Sequence, residues 1–349
     1  MSSIFQKANT HFEQKLPFVL YCKPNSGEVI GFFQHTSELF SANDFLEEGF
    51  VFVSFDGSQT ILFPYDKSEI IAEKLVVERR QDKNATVEIS EDGKENFENL
   101  VKKGVQAIEN GSFEKVVLSR VESLAMNDFA FIETFEKMLS NYPAAFRYCW
   151  FHPEIGMWMG ATPEQLLKIE DSKFKTVALA GTQKFENTSI AVWEEKETQE
   201  QQFVTDFIVS SLASEVNSLR QSQPYTFQAG SIVHLKTDID GVFKANFNLK
   251  KVIKVLHPTP AGCGLPKKVS KEFILKEEGY DRKFYAGFLG EINQNQQGDV
   301  DLFVNLRCME IEQNQIHLYI GCGITKASNP EKEYFETANK AMTMKEILR

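Results

Sequence analysis

The chain has 349 residues, 42% hydrophobic and 25% charged, the balance of a folded globular protein, so disordered and collagen-like classes are excluded. Its 38 Lys and Arg stand against 49 Asp and Glu, a net charge of −11, which argues against nucleic acid or an anionic membrane as partner, since both call for a basic face. Five cysteines (Cys22, Cys149, Cys263, Cys308 and Cys322) are odd in number and scattered without a C-x-x-C pair, a pattern of reduced thiols in a cytoplasmic protein. The first fifteen residues hold no apolar stretch before their charges, and no 18-residue apolar run occurs, so neither a signal peptide nor a membrane helix is expected.

In chain order, 17–22 and 28–34 read as strands around a hairpin turn at Pro24, Asn25, Ser26 and Gly27, and 50–55 reads as a strand before Asp56 and Gly57. The polar stretch 78–84 and the turn ending at Gly93 read either as a connection from a β-rich N-terminal part or as a surface loop. Residues 94–110 place Phe97, Leu100, Val101, Val105 and Ile108 at helical spacing, with Gly111 as a stop. Strands follow at 115–120, 145–151, 165–169, 175–180, 231–236, 285–292, 300–311 and 315–320, with long helices at about 192–219 and 330–347. Strands dominate and helices are not regularly interleaved, which predicts an α+β fold with large antiparallel sheets flanked by helices. Residues 1–93 are taken as a β-rich N-terminal part of that fold and 94–349 as its functional region.

Two carboxylate clusters stand out. Glu194, Glu195, Glu197 and Glu200 open a helix with the apolar stripe Phe203, Val204, Phe207, Ile208 and Leu212, and Glu331, Glu333 and Glu336 follow Pro330. Glu197/Glu200 and Glu333/Glu336 are spaced i, i+3, so each pair shares a helix face. The helix dipole alone accounts for acids at such positions. If the two faces met, four carboxylates would repel unless a hard cation such as Mg2+ lay between them.

Glycine turns at 321–324 (GCGI) and 258–268 (PTPAGCGLPKK) match neither a P-loop nor a dinucleotide fingerprint. Such turns are ordinarily structural, although their N–H groups can bind a carboxylate. Lys115 opens an apolar strand, where it reads as an edge residue or, if desolvated, a base. Glu164 follows Pro163 and reads by default as exposed. His234 sits in an apolar strand, the usual place of a satisfied core histidine. Arg307 interrupts the apolar VNLRC, and a buried arginine calls for an anion.

Together these segments resemble the chorismate-utilising enzymes, most closely the isochorismate synthases. The motifs in order are FEKVVLSR (113–120), GATPEQLL (160–167), ALAGT (178–182), the acidic helix, IVHL (232–235), HPTPAGCGLPK (257–267), FYAGFLGEI (284–292), VNLRCMEI (304–311) and GCGITKASNPEKEYFETANKAM (321–342). The resemblance covers some 250 residues from about Phe97 and implies the anthranilate synthase component I-like fold, chorismate as substrate and Mg2+ as cofactor. It implies Lys115 as the base that activates water for attack at C2, and Glu164 as the acid that protonates the departing C4 hydroxyl. Glu200 and Glu336 would be direct Mg2+ ligands, with Glu197 and Glu333 holding metal-bound waters. Arg307, Tyr285, Lys340 and the backbone of Gly321 and Gly323 would bind carboxylates, with His234 near the ring and Ala180, Gly181 and Thr182 along the wall. A chain of charge −11 repels a dianion at long range, so local positive charge from Mg2+, Arg307 and Lys340 is required.

Ala180 stands where lysine-dependent relatives carry a covalent lysine, and Ala261 where ammonia-using relatives have Thr, so the resemblance implies a water-using isomerase. It is expected to act as a monomer without a glutamine amidotransferase, its product feeding menaquinone or a siderophore. Gln201, in place of a His after the metal-ligand Glu, and Cys322, in place of a small residue, depart from the family pattern. A salicylate synthase, an amine-transferring relative and a non-catalytic chorismate-binding subunit remain the alternatives.

Overall fold

The computed structural model of the protein describes residues 2–75, 91–184, 191–229, 232–294 and 298–348. Two large antiparallel sheets lie face to face with helices on their outer sides. In the first sheet, the strand Phe18–Cys22 lies between Glu28–Gln34 and Phe146–His152. The order continues through Gly156–Thr162, Cys308–Glu312 and Gln315–Ile324 to Lys115–Ala125, which the short strand Gly264–Leu265 borders. The second sheet runs from Val216–Gln221 through Ile232–Phe243, Lys173–Lys184, Gln165–Glu170, Val300–Val304 and Phe288–Ile292 to Gly49–Val53.

The strands read as continuous apolar runs because both of their faces are buried. In Phe18–Cys22, Val19 and Tyr21 face the second sheet, while Phe18, Leu20 and Cys22 face outward. There they meet Ile4, Phe5 and Ala8 of the helix Ser3–Glu13 and Phe135, Met138 and Leu139 of the helix Phe131–Asn141. In Gly49–Val53 the alternation is the same: Phe50 and Phe52 face inward, Val51 and Val53 outward. The outer face of the second sheet is covered by Val204, Ile208 and Leu212 of the helix Glu195–Leu212 and by Val252, Ile253 and Leu256 of Leu249–Leu256. Between the sheets the core is aromatic. Phe146 stacks on Phe303 at 4.3 Å between ring centroids, and Phe52 lies 4.6 Å from both Trp150 and Phe284.

The α+β class with large antiparallel sheets is as expected, and the first hairpin pairs through its predicted turn, Phe18 opposite Phe33. Several boundaries differ. The helix expected over 192–219 ends at Leu212, because Val216–Gln221 pairs with Ile232–Phe243, a long-range contact that local periodicity does not show. The strand expected over 300–311 is two strands in different sheets, broken at 305–307. The strand expected from 285 starts at Phe288, after a turn with Ala286 at φ 58°. The helices Ser3–Glu13, Phe131–Asn141 and Lys267–Glu277 were not anticipated, although the spacing of Phe131, Phe135 and Met138 carried the signal, while a helix leading into 258–268 was expected and is Leu249–Leu256. Residues 78–84, and Ser231 at the start of the strand expected over 231–236, lie outside the described residues.

No helix among the described residues is long and apolar enough to cross a membrane. All five cysteines are free and buried. Phe52→Ala, which empties the centre of the aromatic layer, should cost about 3–5 kcal/mol, measured by urea denaturation; a loss below about 1 kcal/mol would show that Phe52 is not a core anchor.

Candidate active site

The chain passes from the first sheet to the second at residues 163–164 and back again at 305–307. The two crossings are joined side by side: the Ala161 N–H donates to Arg307 O, and the Val304 N–H donates to Glu164 O, both at 3.0 Å. Arg307 adopts φ 49°, a left-handed conformation uncommon outside glycine, at the point where the chain leaves the second sheet. Glu164 and Arg307 thereby border one cavity, together with Ala180, Gly181, Glu200, His234, Ala261, Tyr285, Gly321, Gly323 and Lys340. The structure thus gathers eleven of the sequence-selected residues around a single space.

Glu164 is 3% exposed rather than at the surface, because the crossing carries it between the sheets instead of around their rim. Burial pushes its carboxyl up to about 8, against the pull of Lys115, a hydrogen bond to Thr259, Arg307 and Lys340. At neutral pH Glu164 therefore keeps its proton and can serve as an acid. Thr259 was missed in the sequence. Its only mark is a hydroxyl between two prolines, which by itself reads as a turn.

Lys115 is fully buried, not a solvent-facing edge residue: Gly264–Leu265 covers its strand on the outer side, and its ammonium pairs with Glu200 at 2.9 Å. Gly323 makes room for this pair. A Cβ there would lie 2.0 Å from Glu200 Oε1 and 3.1 Å from Lys115 Cε. Lys340 donates to Glu336 at 2.7 Å and to Gly321 O at 3.2 Å. Burial holds the Arg307 guanidinium below its ordinary range, opposed by Tyr285, Glu336 and Glu164, and burial raises the Tyr285 hydroxyl.

His234 faces the same space. A bulge at Gly181, φ 70°, turns its carbonyl towards the ring, and Nδ1 lies 2.9 Å from it. A carbonyl only accepts, so Nδ1 carries the hydrogen and Nε2 is an acceptor. Burial, reinforced by Arg307 and Lys340, lowers His234 to about 3, so the ring is neutral at physiological pH. The side chain of Thr182 lies outside the described residues.

The four carboxylates proposed for metal binding come from two helices, Glu195–Leu212 and Pro330–Lys345. Glu197 accepts the Glu194 backbone N–H at 3.0 Å and closes a capping box. Glu333 is 2% exposed, and Glu200 and Glu336 hold the Lys115 and Lys340 ammonium groups. Among the described residues no three His, Cys, Asp or Glu side chains are gathered as a metal-binding group. The donor chemistry nevertheless fits a hard divalent cation: all four donors are carboxylates, and two of them already stabilise a positive charge.

The chain belongs to the chorismate binding enzyme family, whose model matches residues 58–349. Isochorismate synthase EntC of Escherichia coli (strain K12) is 28% identical over 260 residues, 71% of this chain and 66% of EntC, so the match spans just under two thirds of that relative. The structure of DhbC from Bacillus anthracis, a proposed 2,3-dihydroxybenzoate-specific isochorismate synthase, superposes with a TM-score of 0.80 at 23% identity, covering 98% of this chain and 99% of that one. The structure of MenF, the menaquinone-specific isochorismate synthase of Escherichia coli, gives 0.79 at 21% identity, covering 95% and 89%. At these identities the structures share the fold.

The Glu164 proton has a consequence for stability. Folding raises this carboxyl from 4.5 to about 8, so its contribution is complete below about pH 4.5 and is lost as pH rises through about 8. Melting temperature followed from pH 5 to 9 should fall less steeply for Glu164→Gln than for the wild type; parallel profiles would show that the carboxyl is not held protonated by the fold.

Proposed function

We propose that the protein is an isochorismate synthase, converting chorismate to isochorismate. The observation that carries this reading is the buried carboxyl of Glu164, its proton affinity raised by burial, on a cavity also lined by Arg307, Lys340 and Glu200, with Lys115 held behind Glu200 as its ion-pair partner. The reaction needs an acid for the leaving hydroxyl, a base for the entering water and cations for two carboxylates, and the chain offers a candidate for each.

Water adds at C2 while the C4 hydroxyl leaves and the ring double bonds shift. Lys115 acts as the neutral amine, having given up the ammonium proton before the step, and takes a proton from the attacking water. Glu164 gives one to the departing hydroxyl, so a second water is released and the ring composition is unchanged. Arg307 and Lys340 hold substrate carboxylates, and Tyr285 adds a hydroxyl donor. The neutral His234 presents Nε2 as an acceptor, suited to a ring hydroxyl. The buried cavity strengthens each of these polar contacts, because little water competes for them.

Glu200 and Glu336 would hold Mg2+ directly, with Glu197 and Glu333 acting through waters. When bound, the ion would supply positive charge for a substrate carboxylate and would share the Glu200 carboxylate with Lys115. Ala180 offers no amine for a covalent ring adduct, and Ala261 no hydroxyl to orient ammonia, which supports water as the nucleophile. The sequence likenesses to EntC and MenF of Escherichia coli (strain K12), each 28% identical, support the same activity.

The deciding experiment incubates purified protein with chorismate and Mg2+, with and without ammonium chloride, and identifies the products by chromatography. Isochorismate should dominate in both reactions and disappear in EDTA. Salicylate with pyruvate would move the assignment to the sister activity, an aminated product would overturn the choice of water, and no conversion would leave a binding subunit.

Lys115→Ala and Glu164→Gln should each lower kcat by about 10²–10⁴-fold, with chorismate affinity nearly retained in Glu164→Gln. Steady-state kinetics checks this, and a Lys115→Ala enzyme within a few-fold of wild type would remove that residue from the role.

A further inference from the structure

Behind the cavity wall formed by Val117 and Ala261 lies a buried ion pair that the proposed chemistry does not use. Arg282 and Glu278 are 2% and 1% exposed at their side chains. Arg282 Nε donates to Glu278 Oε2 at 2.7 Å, and Nη2 donates to Oε1. The same guanidinium donates through Nη1 to Gly262 O at 2.8 Å and through Nη2 to Val117 O at 2.7 Å. It lies over the Phe55 ring at 4.5 Å, and the Arg282 carbonyl accepts the Tyr285 N–H at 2.8 Å. Glu278 Oε1 in turn accepts the Ser119 N–H at 2.7 Å and the Ser119 hydroxyl at 2.9 Å.

These bonds join three elements. Val117 and Ser119 belong to the strand that carries Lys115, Gly262 follows Ala261, and Tyr285 stands three residues beyond Arg282. A buried ion pair is a weak source of stability, because desolvating both charges offsets most of their attraction. A planar fork with donors fixed in direction is, however, well suited to setting the spacing of several acceptors at once, which a lysine ammonium cannot do.

We propose that Arg282, held by Glu278, is a positioning residue that fixes the Lys115 strand against the wall bearing Ala261 and Tyr285. The functional part of this proposal rests on the reading of the cavity as a chorismate site. Misplacing a reacting group by about 1 Å can cost about 10²-fold in rate while binding is retained, and that split distinguishes positioning from simple stabilisation.

The test compares Arg282→Lys and Glu278→Gln with the full-length wild type by melting temperature, chorismate kinetics and amide hydrogen exchange. Arg282→Lys should fold, keep KM within about threefold and lose about 10²-fold in kcat. Glu278→Gln, which keeps the shape and removes the charge, should lose less and serves as the reporter if Arg282→Lys does not fold. In both variants the amides of 117–119 and 262–263 should exchange faster than in the wild type, with the rest of the first sheet unchanged. A kcat per folded molecule equal to wild type, with only the melting temperature lowered, would overturn the proposal. Should the wild type make no isochorismate, the functional reading fails, and exchange alone decides the positioning: unchanged protection at 117–119 and 262–263 would then sink it.

Discussion

Glu164 and Arg307 sit on two of the stretches where the chain passes between the sheets, and these two are stitched together by backbone bonds on either side of them. A strand that leaves a sheet gives up its ladder partners, so the freed backbone groups must find others. Here they find each other, and the Thr162 hydroxyl donates to Val304 O at 2.6 Å. The result is a pair of crossings held to each other by backbone bonds, each carrying one ionisable side chain inward. The left-handed φ of Arg307 is the local conformational cost of that arrangement.

The electrostatics of the cavity follow from the same burial. Desolvation acts in opposite directions on acids and bases: it keeps Glu164 protonated and His234 neutral. Two of the cations are paired with carboxylates, Lys115 with Glu200 and Lys340 with Glu336. A chain of charge −11 thereby carries a concentrated set of cationic side chains in one interior space, where an anion meets them without the screening of bulk water.

Residues 2–75 are part of the same construction. The strand Phe18–Cys22 is hydrogen-bonded to Phe146–His152, and Gly49–Val53 to Phe288–Ile292, so the N-terminal segment extends both sheets. Phe50, Phe52 and Tyr21 supply the aromatic layer on which the crossings rest. Tyr21 also donates to Glu291, whose strand leads from the Tyr285 turn. The buried face of this segment explains why its strands read as unbroken apolar runs.

Local chemistry in the sequence was enough for much of this. Apolar runs, the turn at Pro24 to Gly27 and the helical spacing at 94–110 announced an α+β fold, because they depend on near neighbours. Motif order marked Lys115, Glu164, His234 and Arg307, since each is a polar residue set in an apolar or proline-bounded context. Tertiary structure decided what those residues are. It buried Lys115 and Glu164, which local reading would leave at the surface. It cut 300–311 into two strands, and it ended the acidic helix at Leu212 to feed Val216–Gln221 into the second sheet. It also brought Thr259, and the Arg282–Glu278 fork, to places their sequence neighbours do not suggest. Proton affinity and strand pairing depend on groups distant along the chain and close in space, so only the folded arrangement fixes them.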